Sequence, residues 1–255
     1  MARRRLKGVL LDLSGTLYQG NEALPGAQEA LKRLQSAGFP LGFVTNTSRS
    51  PLRVVREKLH RLGFGVDSAE IMTAPIAVRS YLVEHGLRPQ LLIHPNLAED
   101  FVDLDQSNPD AVVIGDAAEA FDYANLNRAF RMLLEGAPLI AVGVNRYFRQ
   151  RDGLSLDAGP FVRALEYAAG CRALILGKPA PAFFLAATKA LGTEAAETLM
   201  VGDDVAADVN GAIRSDLAAA LVRTGKYRPG DEGELLEGAW LCRDLAEVVE
   251  RLLRE

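Results

Sequence analysis

Leu10-Leu11-Asp12-Leu13-Ser14-Gly15-Thr16-Leu17-Tyr18 sets an acid inside an apolar run and closes the run with small, turn-prone residues. A short apolar run bounded by turn signals, here residues 9–13, predicts a strand buried on both faces of a parallel sheet. Asp12 then stands at the carboxyl end of that strand, the edge where open α/β sheets bind their ligands. A lone aspartate in such a place more often caps a loop than does chemistry. Its reading therefore depends on what the other strands carry at their ends.

Working outward, strands and helices alternate. A helix is expected over 25–37, opened by Pro25 and stopped by Gly38, and a strand over 41–44 that runs into Thr45-Asn46-Thr47-Ser48. Ser50-Pro51 starts an amphipathic helix closed by Gly63, and 75–84 forms another. Strands at 91–93 and 111–114 flank the acidic loop 99–105, followed by a helix at 123–134 and a strand at 139–144. The polar stretch 145–160 reads as a long loop or hairpin, before a helix at 161–169 and a strand at 173–176. Gly177-Lys178-Pro179 precedes a helix over 181–191; a strand at 198–201 ends in Gly202-Asp203-Asp204. A helix from Val205, a strand at 217–222 and an amphipathic helix through Leu245 and Leu253 complete the chain. Such alternation implies βαβ units and a parallel sheet.

Composition narrows the function classes. The 255 residues are 49% hydrophobic and 24% charged, as in an ordinary globular protein, and suffice for one large α/β domain or two smaller ones. A net charge of −4 gives no electrostatic reason to expect nucleic acid or a membrane surface as partner. Cys171 and Cys242 lack metal-type spacing, and three scattered histidines argue against zinc. The basic opening Met-Ala-Arg-Arg-Arg resembles the start of a signal peptide, but Lys7 and Asp12 interrupt the apolar stretch it would need, so a cytoplasmic location is expected. No G-x-G-x-x-G follows a predicted strand, which sets aside a nicotinamide-binding oxidoreductase.

Set side by side, the strand-end residues are Asp12, Thr45-Asn46, Lys178 and Asp203-Asp204. If their strands share a sheet, they meet at one crevice. Thr45 and Asn46 can also serve as turn and cap residues, and Asp203 and Asp204 can cap the helix from Val205. Lys178 is harder to explain structurally, because a cation ahead of a helix start is disfavoured unless an anion lies nearby. Together they supply the parts of phosphoryl transfer: a carboxylate to attack phosphorus, donors for the phosphoryl oxygens, and acids for Mg²⁺.

The sequence resembles the haloacid dehalogenase-like (HAD) phosphatase superfamily in Asp12-Leu13-Ser14-Gly15-Thr16-Leu17, Val44-Thr45-Asn46, Gly177-Lys178-Pro179 and Val201-Gly202-Asp203-Asp204 with Asp208. The motifs keep the family's order across nearly the whole chain. The resemblance implies a Rossmann-like parallel-sheet core, residues 1–74 and 177–255, with a smaller α/β cap of the C2 type inserted over 75–176. It implies Asp12 as nucleophile, Lys178 as a catalytic and phosphate-binding residue, and Ser14, Thr45 and Asn46 as further phosphate ligands. Mg²⁺ would be held by Asp12, Asp203 and the main-chain oxygen of Ser14, with Asp204 and Asp208 as supporting acids. Segments such as Leu87-Arg88-Pro89, Ser107-Asn108-Pro109 and Arg223-Thr224-Gly225-Lys226-Tyr227 resemble one C2-capped subgroup, which suggests a homodimer made through the cap.

Two departures from the wider family matter. Ser14 stands where most of its phosphatases carry an acid that protonates the leaving alkoxide, a loss of roughly 10²–10⁴ in rate. That C2-capped subgroup shares this serine. Substrates whose leaving groups need little protonation suffer least, so pyrophosphate or a phosphoramidate, including phosphohistidine or phospholysine, is the expected substrate class. Small phosphorylated compounds or phosphoprotein side chains are the expected partners. The alternative is a non-catalytic phosphate-binding or interaction module. Asp216 is the second departure, standing where the subgroup usually has Gly, with a local conformational cost expected. Arg146, Tyr147 and Arg149, in the loop 145–157, form a candidate specificity element or else a solvated basic loop.

Overall fold

The structure, a computed structural model, describes residues 5–67, 70–149 and 153–254. The basic opening 1–4, read above for a targeting signal, and the loop tip 150–152 lie outside the described residues. The chain divides into two units. One comprises Met1–Thr45, Arg53–Met72 and Lys178–Glu255; the other comprises Asn46–Leu52 and Thr73–Gly177.

The first unit is built on a six-stranded sheet. Its order is Trp240–Cys242, Ala218–Val222, Thr198–Gly202, Gly8–Asp12, Leu41–Thr45 and Ile71–Thr73. Gly8–Asp12 sits between two parallel neighbours, with Val9 opposite Leu199 on one side and Leu41 on the other. All five of its residues are buried, as are all five of Thr198–Gly202. Continuous apolar runs of this kind form strands because both sheet faces are covered. Val9, Leu10, Leu11, Leu199, Met200 and Val201 are at most 1% exposed, each side chain contributing about 1.5–3 kcal/mol of burial.

The second unit carries a four-stranded parallel sheet in the order Leu174–Ile175, Leu139–Ala141, Ala111–Ile114, Pro89–Leu92. Val112, Ile114, Leu139 and Ala141 from this sheet pack with Ala129 and Leu133 of the helix Tyr123–Leu134 and Val162 and Leu165 of the helix Ala158–Ala169. Asn46–Leu52 is tied to this unit by polar contacts. Arg49 pairs with buried Asp116 and lies 4.2 Å over the Phe148 ring, and the Leu52 amide donates to the Asp100 carboxylate.

Several elements differ from the sequence reading. The expected loop or hairpin at 145–160 is a hairpin of Tyr147–Arg149 against Leu154–Leu156. The following helix starts at Ala158, three residues early, because the Asp157 side chain caps the Ala158 amide and Pro160 is tolerated in a first turn. The helix expected from Val205 begins as a π-helix, Val205–Asn210, before the α-helical turn Gly211–Arg214. The strand expected over 139–144 ends at Ala141. Strands Ile71–Thr73 and Trp240–Cys242, and the hairpin of Tyr18–Gln19 with Glu22–Ala23, are too short to show a period. Among the described residues no helix is long and apolar enough to cross a membrane.

Asp216 adopts φ +66°, in the left-handed region, between Gly211–Arg214 and Ala218–Val222. Asp216→Gly should raise stability by about 1 kcal/mol by removing the Cβ cost of that conformation. The urea midpoint reads this directly; an unchanged or lower midpoint would mean that interactions of the Asp216 side chain offset the strain.

Candidate active site

Three neighbouring strands of the first sheet end in polar residues on the same edge. Asp12 closes Gly8–Asp12, Asp203 follows Thr198–Gly202, and Thr45 closes Leu41–Thr45 one residue beyond the Asp12–Val44 pair. Lys178 arrives differently from the sequence reading. The strand before it, Leu174–Ile175, belongs to the second unit's sheet, and Lys178 instead leads into the helix Pro181–Leu191 of the first. Asn46, next after Thr45, begins the segment grouped with the second unit.

The ammonium of Lys178, a residue 5% exposed, donates to Asp12 Oδ1 at 2.5 Å and to Asp208 Oδ1 at 2.6 Å. This is the anion whose presence its position before a helix demanded. Asp12, Asp203 and Asp208 each offer a carboxylate oxygen within 4.8 Å of the others, all three side chains buried. Asp208 is fully engaged, its Oδ2 accepting from the Asp204 amide at 3.2 Å. Gly202 leaves the room this requires, since a Cβ there would lie 2.3 Å from Asp208 Oδ2. Asp204 does what its helix-capping reading expected, accepting from the amides of Ala206 and Ala207. Asp203 does not cap; its Oδ2 accepts from the Lys226 amide at 2.7 Å.

Among the described residues, one oxygen of Asp12 and one of Asp203 accept no hydrogen bond. Three buried carboxylates gather around the buried ammonium of Lys178, with the exposed Lys226 ammonium also acting on Asp203. Such an arrangement suits a hard divalent cation with oxygen ligands, and Mg²⁺ fits this donor set. Burial pushes the Asp12 carboxyl up to about 7 against the pull of Lys178, with Asp208 and Asp203 adding to the rise. Burial likewise lifts Asp203 to about 6, the Lys226 amide opposing. Burial disfavours the Lys178 charge, but Asp12 and Asp208 outweigh it and hold the ammonium above its usual range.

Ser14 is exposed in the turn after Asp12, whose shape is set by Leu17 N to Leu13 O at 2.9 Å and Gly15 N to Tyr18 O at 2.7 Å. Two neighbours of the acids had no role in the sequence reading. Lys226 Nζ lies 3.1 Å from Asp204 Oδ2, and the Thr224 hydroxyl donates to the Gly15 carbonyl. Both stand just past the strand Ala218–Val222, so the strand-end rule that found Asp203 could have found them.

Two family models match, haloacid dehalogenase-like hydrolase over residues 9–105 and HAD-hydrolase-like over 175–248. Haloacid dehalogenase-like hydrolase domain-containing protein 2 of Bos taurus is 46% identical over 253 residues, covering 99% of this chain and 98% of its own. Phospholysine phosphohistidine inorganic pyrophosphate phosphatase of Mus musculus is 44% identical over 256 residues, covering 98% and 95%. Among solved structures, the 4-nitrophenylphosphatase of Thermotoga maritima superposes with a TM-score of 0.85 at 27% identity, covering 96% of this chain and 97% of that one. The chain belongs to the haloacid dehalogenase-like hydrolases. It lies among the family's phosphatases, the activity for which the Mus musculus relative and the Thermotoga maritima neighbour are named.

Proposed function

We propose that this chain is a Mg²⁺-dependent phosphatase that acts through an aspartyl-phosphate on Asp12, with pyrophosphate or a phosphoramidate as substrate. The observation that carries the reading is the buried set of three carboxylates, two of them bonded to the Lys178 ammonium, with an oxygen of Asp12 and one of Asp203 accepting from no described residue. Asp12 attacks phosphorus; the new bond joins its carboxylate oxygen to phosphorus as the leaving group departs with its electron pair. Lys178 fixes the Asp12 carboxylate through Oδ1 and, with Thr45, Asn46 and Ser14, holds the phosphoryl oxygens. When bound by Asp12, Asp203 and the main-chain oxygen of Ser14, Mg²⁺ supplies charge neutralisation to the transferring group. Asp208 keeps Lys178 in place, and Asp204 anchors the helix that carries Asp208. Water then hydrolyses the aspartyl-phosphate slowly, since Ser14 is no base.

Ser14 decides the leaving group. Pyrophosphate releases phosphate, and a phosphohistidine or phospholysine releases an imidazole or an amine whose basic nitrogen takes its proton from water, so neither depends on a side-chain acid beside Asp12. The name of the Mus musculus relative agrees with this preference. Phosphate release with Mg²⁺ from pyrophosphate, a phosphoramidate and an aryl phosphate is the test, with the first two fastest. No release from any of them would favour the alternative, a phosphate-binding module disabled by Ser14. Ser14→Asp should speed turnover of alkyl phosphate esters by about 10²-fold relative to pyrophosphate. No gain would remove the leaving-group explanation.

Metal binding should depend on pH. Both raised carboxyls bind protons in the folded, metal-free protein more readily than in the unfolded chain. Their contribution to stability is therefore complete below pH about 4 and lost as pH rises through about 6 to 7. Mg²⁺ must displace those protons, so its apparent affinity should rise about tenfold from pH 5.5 to 6.5 and level off above pH 8. Calorimetric titration across that range checks this; a flat profile would mean that these acids do not hold the ion.

The hairpin of Tyr147–Arg149 and Leu154–Leu156 is proposed as the specificity element. Exposed Tyr147, Leu154 and Leu156 on it also supply apolar surface for the homodimer that the family resemblance implies. A cytoplasmic location agrees with two cysteines that are both free.

A further inference from the structure

We infer that the turn Thr224-Gly225-Lys226 positions Asp203 and the nucleophile loop for metal binding, an inference that rests on the metal-dependent reading above. Asp203 Oδ2 is enclosed from three directions. The Lys226 amide donates to it at 2.7 Å, and a Cβ on Gly15 or Gly225 would lie 1.9 Å or 2.0 Å from it. Both glycines also have positive φ, +94° and +61°, so both the backbone and the available space require them. A Cβ on Gly225 would also come within 2.4 Å of the Gly15 Cα, which puts the two turns in direct backbone contact. The Thr224 hydroxyl locks that contact by donating to the Gly15 carbonyl. Lys226 Nζ extends the same turn to Asp204.

One tripeptide thus ties together the ends of three adjacent parallel strands, Ala218–Val222, Thr198–Gly202 and Gly8–Asp12. The terminal torsion of an aspartate is broad, so a carboxylate with one engaged oxygen presents the other only as firmly as its anchor holds. Clamping Oδ2 leaves the opposite oxygen aimed by the backbone alone. The same clamp fixes Gly15, which follows the Ser14 carbonyl assigned to the ion. Partners of this kind behind a metal ligand typically carry about 10–100-fold in metal affinity.

The test is calorimetric titration of Mg²⁺ into the full-length protein without substrate, each variant's fold being checked by its urea midpoint. Thr224→Val, which removes the hydroxyl and keeps the shape, should weaken Mg²⁺ about tenfold. Thr224→Ser, which restores the donor, should bind as the parent does. Gly225→Ala should weaken binding further, and if it does not fold, the two Thr224 variants decide. Asp203→Asn is the control for the underlying reading. If Asp203→Asn loses Mg²⁺ while Thr224→Val and Gly225→Ala bind as the parent does, the turn does not position the site and the inference falls alone. If Asp203→Asn binds Mg²⁺ as the parent does, Asp203 is no ligand and the inference falls with the reading beneath it.

Discussion

Asp12→Asn should slow phosphate release from pyrophosphate by about 10⁴-fold or more. A neutral amide does not attack phosphorus and holds a cation less strongly than a carboxylate, yet it keeps the shape of the side chain and can still accept from Lys178 Nζ, 2.5 Å from the present oxygen. Loss of activity should therefore come without loss of fold. In the metal-free protein the variant should gain stability relative to the parent as pH rises from 5 to 8. Burial pushes the Asp12 carboxyl up to about 7, and ionising it above that pH costs folding free energy that asparagine does not incur. Mg²⁺ should raise the melting temperature of the parent and have little effect on the variant. Retained phosphate release would show that another residue is the nucleophile, and an unchanged response to Mg²⁺ would show that Asp12 does not hold the ion.

Lys178→Met carries the largest expected cost in stability. Lys178 is the one ammonium that the structure sets between Asp12 and Asp208, and its side chain is 3% exposed. Methionine replaces its bulk but leaves two buried carboxylates facing each other beside Asp203, at a cost of about 3–5 kcal/mol when they are ionised. At lower pH the raised Asp12 carboxyl takes up a proton, so the penalty should shrink between pH 8 and pH 5. Urea denaturation at the two pH values measures the difference. An equal penalty at both would assign the effect to packing and not to charge. Phosphate release should fall by at least about 10³-fold, because the donor to the proposed nucleophile, and the one proposed for the phosphoryl group, is gone.

Most of the core sheet was legible because its strands are short apolar runs ended by residues that do not belong in a core. Asp12, Thr45 and Asp203 were found by that contrast, and each stands at a carboxyl end of the same sheet. Lys178 was found through its electrostatic misfit before a helix, although the strand ahead of it lies in the other sheet. Asp208 lies on no strand end and came only from family resemblance; the structure shows it sharing Lys178 with Asp12. Thr224 and Lys226 also contribute side-chain contacts just past a strand end, but the hold of their turn on Asp203 runs through a main-chain amide and a missing Cβ, which residue-type reasoning does not register. The early start of the helix Ala158–Ala169 was hidden for a related reason. Gly159 and Pro160 fell in the polar stretch 145–160 expected as a loop or hairpin, yet Gly159 lies 2.5 Å, at its would-be Cβ, from the carbonyls of Val144 and Asn145, and so is dictated by packing. Edge strands of three residues, Ile71–Thr73 and Trp240–Cys242, owe their pairing to the sheet already formed beside them.

The most direct measurement is to quench the protein in acid while it turns over pyrophosphate with Mg²⁺, digest it, and locate the phosphoryl group by mass spectrometry. Phosphoryl mass on the peptide containing Asp12, absent from Asp12→Asn, is the predicted result. Turnover with no acid-stable phosphoryl group on that peptide, or with one on a different residue, would contradict attack by Asp12.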